Sequence, residues 1–316
     1  MSIFYKYTSN FGADFLQNPT IRISNTTYLN DPFECQAGDN LIYVAREAVI
    51  KNGVDYDSEQ TRDVLNSLLN SHGIFSVSET PRSTLMWAHY ADEHSGLCIG
   101  FDEDIFSNKV IPKGGRYEIA GLKPNKISYD NYRFDRQTEI KNSTQMLDSI
   151  KKHLLTKSDD WIYEKEHRWI VPYSFCSQFK IIRNNKHVMS SIDPSYHIDT
   201  YLGELLKRNE IEEIGKDLFK INKNIAETTY LGLATFGCVC FLYEVNPENI
   251  KSIHIGLRVH DDDVIDFYST INNKDLNLSH IKLYKFKLSS KRFELLPDIV
   301  DENYINTLLQ KRTSQP

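Results

Sequence analysis

The sequence predicts an α+β fold. Three observations carry that prediction. Stretches with apolar residues at every second position and stretches with an apolar stripe at helical spacing both occur along the chain. They are intermixed and follow no regular strand–helix–strand alternation. The 316 residues are 40% apolar and 25% charged, enough to bury a substantial core. No repeat, low-complexity tract or clear linker interrupts them, so a single domain over 1–316 is expected, with the polar stretch 177–225 read as a largely helical or loop insertion.

FYKY (4–7) reads as a first strand and TIRIS (20–24) as a second by its alternation. LNDPFEC (29–35) is broken by Asn30, Asp31 and Pro32 and reads as a turn. Segments 41–50 and 59–70 read as helices, the second with Val64, Leu65, Leu68 and Leu69 on one stripe. GIFSVSE, after Gly73, is a strand. Ser83 or Thr84 then caps a short helix, LMWAHYAD, which Gly96 stops before the apolar strand LCIGFD. KISYD reads as a strand, 136–156 as a helix, and the stretch from Tyr163 in WIYEKEHRWIVPY as another strand. A helix is expected near 199–220. Strands at GCVCFLYEV, SIHIGL and HIKLYKFKL, with a helix around 261–272, complete the chain.

A formal charge of -6 gives no global attraction to nucleic acid or an anionic membrane. No signal peptide or bilayer-spanning run is seen, so a cytoplasmic location and no membrane partner are expected. The five cysteines, set mostly among apolar neighbours, read as reduced buried thiols. Cys238 and Cys240 form a C-x-C pair with no second Cys/His pair nearby, so no metal is expected. Asp261, Asp262 and Asp263 read as acidic residues at a helix start, where the dipole favours them, rather than as cation ligands.

Two segments concentrate chemistry. In YEKEHRW, read as a strand, Glu164, Glu166 and Arg168 share one face, with the carboxylates about 7 Å apart. That pattern suits a catalytic glutamate with an assisting carboxylate, and equally a solvated face with an ion pair. In MWAHYADEHSGLCIGFD (86–102), Met86 and Tyr90 share a helix face and His89 lies nearly opposite Trp87. Leu85, Met86 and the strand 97–101 read as core, while His89 and Tyr90, with Ser76 and Ser78 from the strand before, would line a cleft facing Glu164 and Glu166. The nucleophile elbow G-x-S-x-G, the zinc helix H-E-x-x-H and the glycine-rich phosphate loops are all absent.

The order FYKY, LNDPFE, FSVSE, LMWAHYADEHSGLCIGFD and W-x-Y-E-K-E-H-R resembles the bacterial family catalogued as Domain of Unknown Function 2971 (DUF2971), over about residues 4–171. The order of the strand residues also resembles ADP-ribosyltransferase folds, although the first strand lacks an H-G or R-G pair and the serine strand reads SVS. That second resemblance implies a mixed, strongly bent (split) β-sheet with flanking helices that grips NAD in a cleft. It implies Glu164 or Glu166 as the catalytic glutamate, with Glu166 taken as the key carboxylate; His89, read as lining the cleft, is the third catalytic candidate. The ligand-binding residues would be Tyr5, Lys6, Tyr7, Asn30, Asp31, Glu34, Ser76, Ser78, Trp87, Tyr90 and Arg168. Tyr90 or Trp87 would stack on a flat ring, and Arg168 or Lys6 would meet a pyrophosphate.

The implied function is that of a toxin-type or phage-defence effector performing ADP-ribosyl transfer or NAD cleavage, with a nucleic-acid or protein acceptor. Two readings stand beside it. One is a non-catalytic binding or sensor subunit that works with a partner protein of a defence operon. The other is a metal-dependent nuclease, against which the acidic balance argues.

Overall fold

The computed structural model describes residues 2–51, 53–134, 139–183, 195–222 and 225–313. The chain is α+β, as its mixed periodicities predict. Strands β1 (Ile3–Thr8) and β2 (Thr20–Ile23) precede helices α1 (Asp39–Lys51) and α2 (Ser58–Leu69). β3 (Gly73–Ser78), α3 (Thr84–Tyr90) and β4 (Leu97–Asp102) form the strand, short helix and strand expected over 73–102. Then come β5 (Asn125–Lys126), β6 (Ser128–Tyr129), α4 (Ser143–Leu154), β7 (Thr156–Lys157), β8 (Glu166–Val171) and β9 (Gln178–Ile181). α5 (Ser195–Lys207), β10 (Ile211–Gly215), β11 (Leu218–Ile221), α6 (Glu227–Thr235), β12 (Val239–Glu244) and β13 (Ile250–Ile255) follow. The last elements are α7 (Asp261–Ile271), β14 (Lys282–Leu288), β15 (Leu295–Ile299) and α8 (Glu302–Thr313).

Eight strands form one mixed sheet in the order β15-β14-β13-β4-β1-β3-β8-β5, and five form a second in the order β10-β11-β9-β12-β2. The two meet at a bridge between Ser24, just after β2, and Ile74 of β3. Alternation decides which layer each side chain enters. Phe75 and Val77 of β3, Leu97, Ile99 and Phe101 of β4, and Trp169 of β8 face the main core shared with the second sheet. Ile74 and Ile170, on the opposite face, receive α1, α2 and α4 through Leu41, Leu65, Leu69, Ile150 and Leu154. α2 is started by a capping box in which the Asp57 carboxylate accepts from the backbone of Gln60.

Several boundaries differ from the sequence reading. The strand expected from Tyr163 starts at Glu166, because Asp159–Glu164 is a 3-10 turn closed by left-handed Lys165 (φ 48°). KISYD splits into β5 and β6 around the buried Ile127. The helix expected over 136–156 begins at Ser143, where the Asn142 side chain caps it; residues 135–138 lie outside the described residues. Segment 177–225 supplies β9, β10 and β11 to the second sheet in addition to a helix, with 184–194 and 223–224 outside the described residues. Leu85 and Val64 are exposed, not core. No cysteine forms a disulfide, and all but the half-buried Cys35 are buried. The aspartates 261–263 fill the first turn of α7, as the dipole argument expects.

Gly96 sits where α3, β1 and β4 converge. A Cβ there would lie 2.2 Å from the Thr8 carbonyl oxygen and 2.8 Å from the Ala91 Cα, both backbone atoms that cannot swing aside. Gly96→Ala is expected to lower stability by about 1–3 kcal/mol, as overpacking does. A urea melt checks it, and an unchanged midpoint would show that this corner yields.

Candidate functional site

β1 and β3 share a single register pair, Tyr5 with Ser78, and then part. Across the gap the Lys6 ammonium donates to the Ser76 carbonyl at 3.0 Å. β2 closes the opposite side through the Ser24–Ile74 bridge, with hydrogen bonds of 2.9 and 2.8 Å. The splayed strands enclose a cleft of about 490 Å³, within the range of small-ligand sites. Four cations (Lys6, Arg22, Lys157, Arg168) and three carboxylates (Glu34, Glu164, Glu166) line it. In an acidic chain, the cleft therefore carries a surplus of positive charge.

One wall is a closed network. Arg168 offers Nε to Glu166 Oε1 at 2.6 Å and Nη2 to Glu166 Oε2 at 2.9 Å, while Nη1 donates to the Leu154 carbonyl at 2.8 Å. Its Nη2 also pairs with Glu34. Lys157 Nζ lies 2.7 Å from Glu164 Oε2 and 3.4 Å from Glu166 Oε2. All five side chains are buried. The Tyr90 hydroxyl donates to Glu164 Oε1, and the Ser78 hydroxyl donates to the Glu164 backbone carbonyl at 2.6 Å. The Tyr129 hydroxyl accepts the Glu166 backbone N–H at 2.8 Å.

The two carboxylates differ sharply. Burial by itself raises the Glu166 pKa, but Arg168 and then Lys157 overcome it and hold the group down at about 2. For Glu164 burial wins over the pull of Lys157, and its pKa stands above the ordinary carboxylate value. Glu34 is likewise raised by burial against Arg168. Burial would lower Lys157, but Glu166, Glu34 and Glu164 outweigh it and raise its pKa. Burial brings Lys6 down to about 8.

The structure brings most of the sequence-predicted residues to this cleft. Tyr5, Lys6, Tyr7, Asn30, Glu34, Ser76, Ser78, Tyr90, Glu164, Glu166 and Arg168 all line it. Asn30 reaches the Tyr90 hydroxyl. Tyr7 is committed to the fold: its hydroxyl donates to the Thr80 carbonyl at 2.8 Å and accepts the Ser83 N–H at 3.2 Å.

Three residues are placed elsewhere. Trp87 is fully buried between Tyr7 and Phe286, with its indole N–H on the Pro81 carbonyl, so it cannot stack on a ligand. His89 lies about 200° round α3 from Trp87 and is therefore exposed, near Tyr163 and outside the cleft. Asp31 fixes the turn by accepting the Phe33 N–H at 2.9 Å. It lines a second cavity, of about 250 Å³, that shares Glu34 and Lys157 with the first.

Sequence reasoning missed Lys157, Arg22 and Tyr129. Arg22 had a signal, since Ile21 and Ile23 on either side of it are buried and its own face must meet something else. Lys157 and Tyr129 had none, because they meet through the non-local pairing of β6 with β7. Among the described residues no group of three or more His, Cys, Asp or Glu side chains is arranged to hold a metal ion. No helix among them is long and apolar enough to cross a membrane.

The family model for "Protein of unknown function (DUF2971)" matches residues 86–169. That supports the resemblance read from MWAHYADEHSGLCIGFD and YEKEHRW, and the matched segment holds Tyr90, Lys157, Glu164, Glu166 and Arg168. No curated protein and no solved structure matches the chain.

Proposed function

We propose that the cleft binds a nucleotide of the NAD type and that the protein breaks its nicotinamide–ribose bond, passing the ADP-ribosyl group to water or to another acceptor. The observation that carries this reading is Glu164. It is a buried carboxylate of raised proton affinity, gripped by Tyr90 and Lys157, on the wall of a cation-rich cleft. Perturbed carboxylates in clefts mark reactive sites.

The chemistry follows from charge. The C1′–nitrogen bond breaks with its electron pair going to the nicotinamide, which leaves neutral. Positive charge is left on the ribose, and an ionised Glu164 stabilises it while accepting a hydrogen bond from a ribose hydroxyl. Water or the acceptor then bonds to C1′, and the proton it releases passes through Glu164 to solvent. Glu166, locked by Arg168 and Lys157, holds the wall in place rather than acting on the ligand. An enzyme consuming NAD in this way would work as a toxin-type effector, as in phage defence.

A specific observation favours a second reading. The buried pairing of Arg168 with both Glu166 and Glu34 suits a rigid, non-catalytic nucleotide sensor. Incubating the purified protein with NAD, alone and with nucleic acid or cell extract, and following free nicotinamide separates the two. Release is expected. Binding without release would shift the assignment to the sensor, and neither binding nor release would end both.

A further inference from the structure

The two arginines of the cleft present the same chemical edge in opposite states. On Arg168 the fork made by Nε and Nη2 is filled by the two oxygens of Glu166. On Arg22, across the cleft on β2, Nε and Nη2 are shielded from bulk water and have no hydrogen-bond partner among the described residues. The guanidinium is not adrift. Its carbon lies 4.3 Å from the centre of the Tyr28 ring, which fixes its plane as a cation–π contact does. No carboxylate lies within salt-bridge distance of it among the described residues.

One further donor faces the same space. The Lys6 ammonium donates to the Ser76 carbonyl at 3.0 Å and lies over the Phe75 ring, with no carboxylate within salt-bridge distance among the described residues. The buried Ser76 hydroxyl lies against the Glu166 carboxylate, whose charged form it favours. An oriented fork with both N–H groups unmet, shielded from water, costs free energy until a two-oxygen acceptor fills it. The acidic groups that could fill it, Glu34, Glu164 and Glu166, are already held by Lys157, Arg168 and Tyr90.

We propose that Arg22, with Lys6, forms a phosphoryl-binding subsite that receives the diphosphate of the ligand. Two cations without a carboxylate at salt-bridge distance among the described residues suit a group carrying more than one negative charge better than a single carboxylate. For the identity of the anion the proposal rests on the nucleotide reading of the cleft. It also moves the anion-binding role that the sequence suggested for Arg168 onto Arg22.

Inorganic pyrophosphate is the probe, titrated calorimetrically into the full chain, with malonate as a carboxylate control. The expected result is pyrophosphate binding that Arg22→Gln weakens by about tenfold or more, with Arg22→Lys in between because it keeps the charge but loses the fork. Circular dichroism verifies that the variants fold. Absence of pyrophosphate binding, unchanged affinity in Arg22→Gln, or malonate binding as tight as pyrophosphate would each overturn the proposal. Arg22-dependent binding without nicotinamide release would leave the subsite standing and remove only the cleavage reading.

Discussion

Arg168→Met is expected to destabilise the protein by about 3–5 kcal/mol, the cost of breaking a buried ion pair from one side. The reason is the number of groups it strands. Glu166 loses both partners of its fork, Glu34 loses its only ion pair among the described residues, and the Leu154 carbonyl at the end of α4 loses its donor. Methionine fills much of the volume but supplies no charge. The melting midpoint should fall on the order of 5–10 °C. A double-mutant cycle with Glu166→Gln isolates the pair, and the double variant should be more stable than the sum of the single losses. Additivity, or a melt within half a degree of wild type, would sink the idea that this network anchors the wall.

The same pair sets a pH signature. Glu166 is depressed in the folded protein to about 2, so its contribution to stability is present above the ordinary carboxylate value and lost as pH falls toward 2. Arg168→Met should flatten the acid limb of stability in that window.

How far the sequence carried the site depends on which contacts were local. The i, i+2 spacing of Glu164, Glu166 and Arg168 put them together correctly, but by a different route. Left-handed Lys165 breaks the strand and lets Glu164 end a turn, and Lys157 then draws both carboxylates inward. Helical geometry placed Tyr90 correctly, and the same geometry, followed from a buried Trp87, sends His89 to solvent. Ile21 and Ile23 made β2 legible as a strand. That Arg22 opposite them faces a cleft could not be read, because the cleft is made by a second sheet meeting the first at one bridge. The edge strands β10 and β15 were hidden for another reason. Their residues are largely polar or partly exposed, so periodicity has little amplitude there.

Glu164→Gln is expected to lower NAD turnover by about 10²–10⁴-fold, the range set by loss of a positioned charge or proton acceptor. The amide keeps the shape and can still meet Tyr90, but it cannot offset the charge developing on the ribose. Glu166→Gln should divide its effect the other way, losing stability first, because Arg168 and Lys157 are then left short of an anion. Since activity needs ionised Glu164, and burial raises its pKa above the ordinary carboxylate value, turnover should fall away on the acid side at a higher pH than an exposed glutamate would give. Tyr90→Phe removes a donor that favours the ionised form and should move that acid limb to higher pH still, which a merely structural tyrosine would not do. Nicotinamide release measured across pH for the three variants tests this directly. A Glu164→Gln protein that turns over NAD like the wild type would return the catalytic role to Glu166 or remove it from this pair altogether.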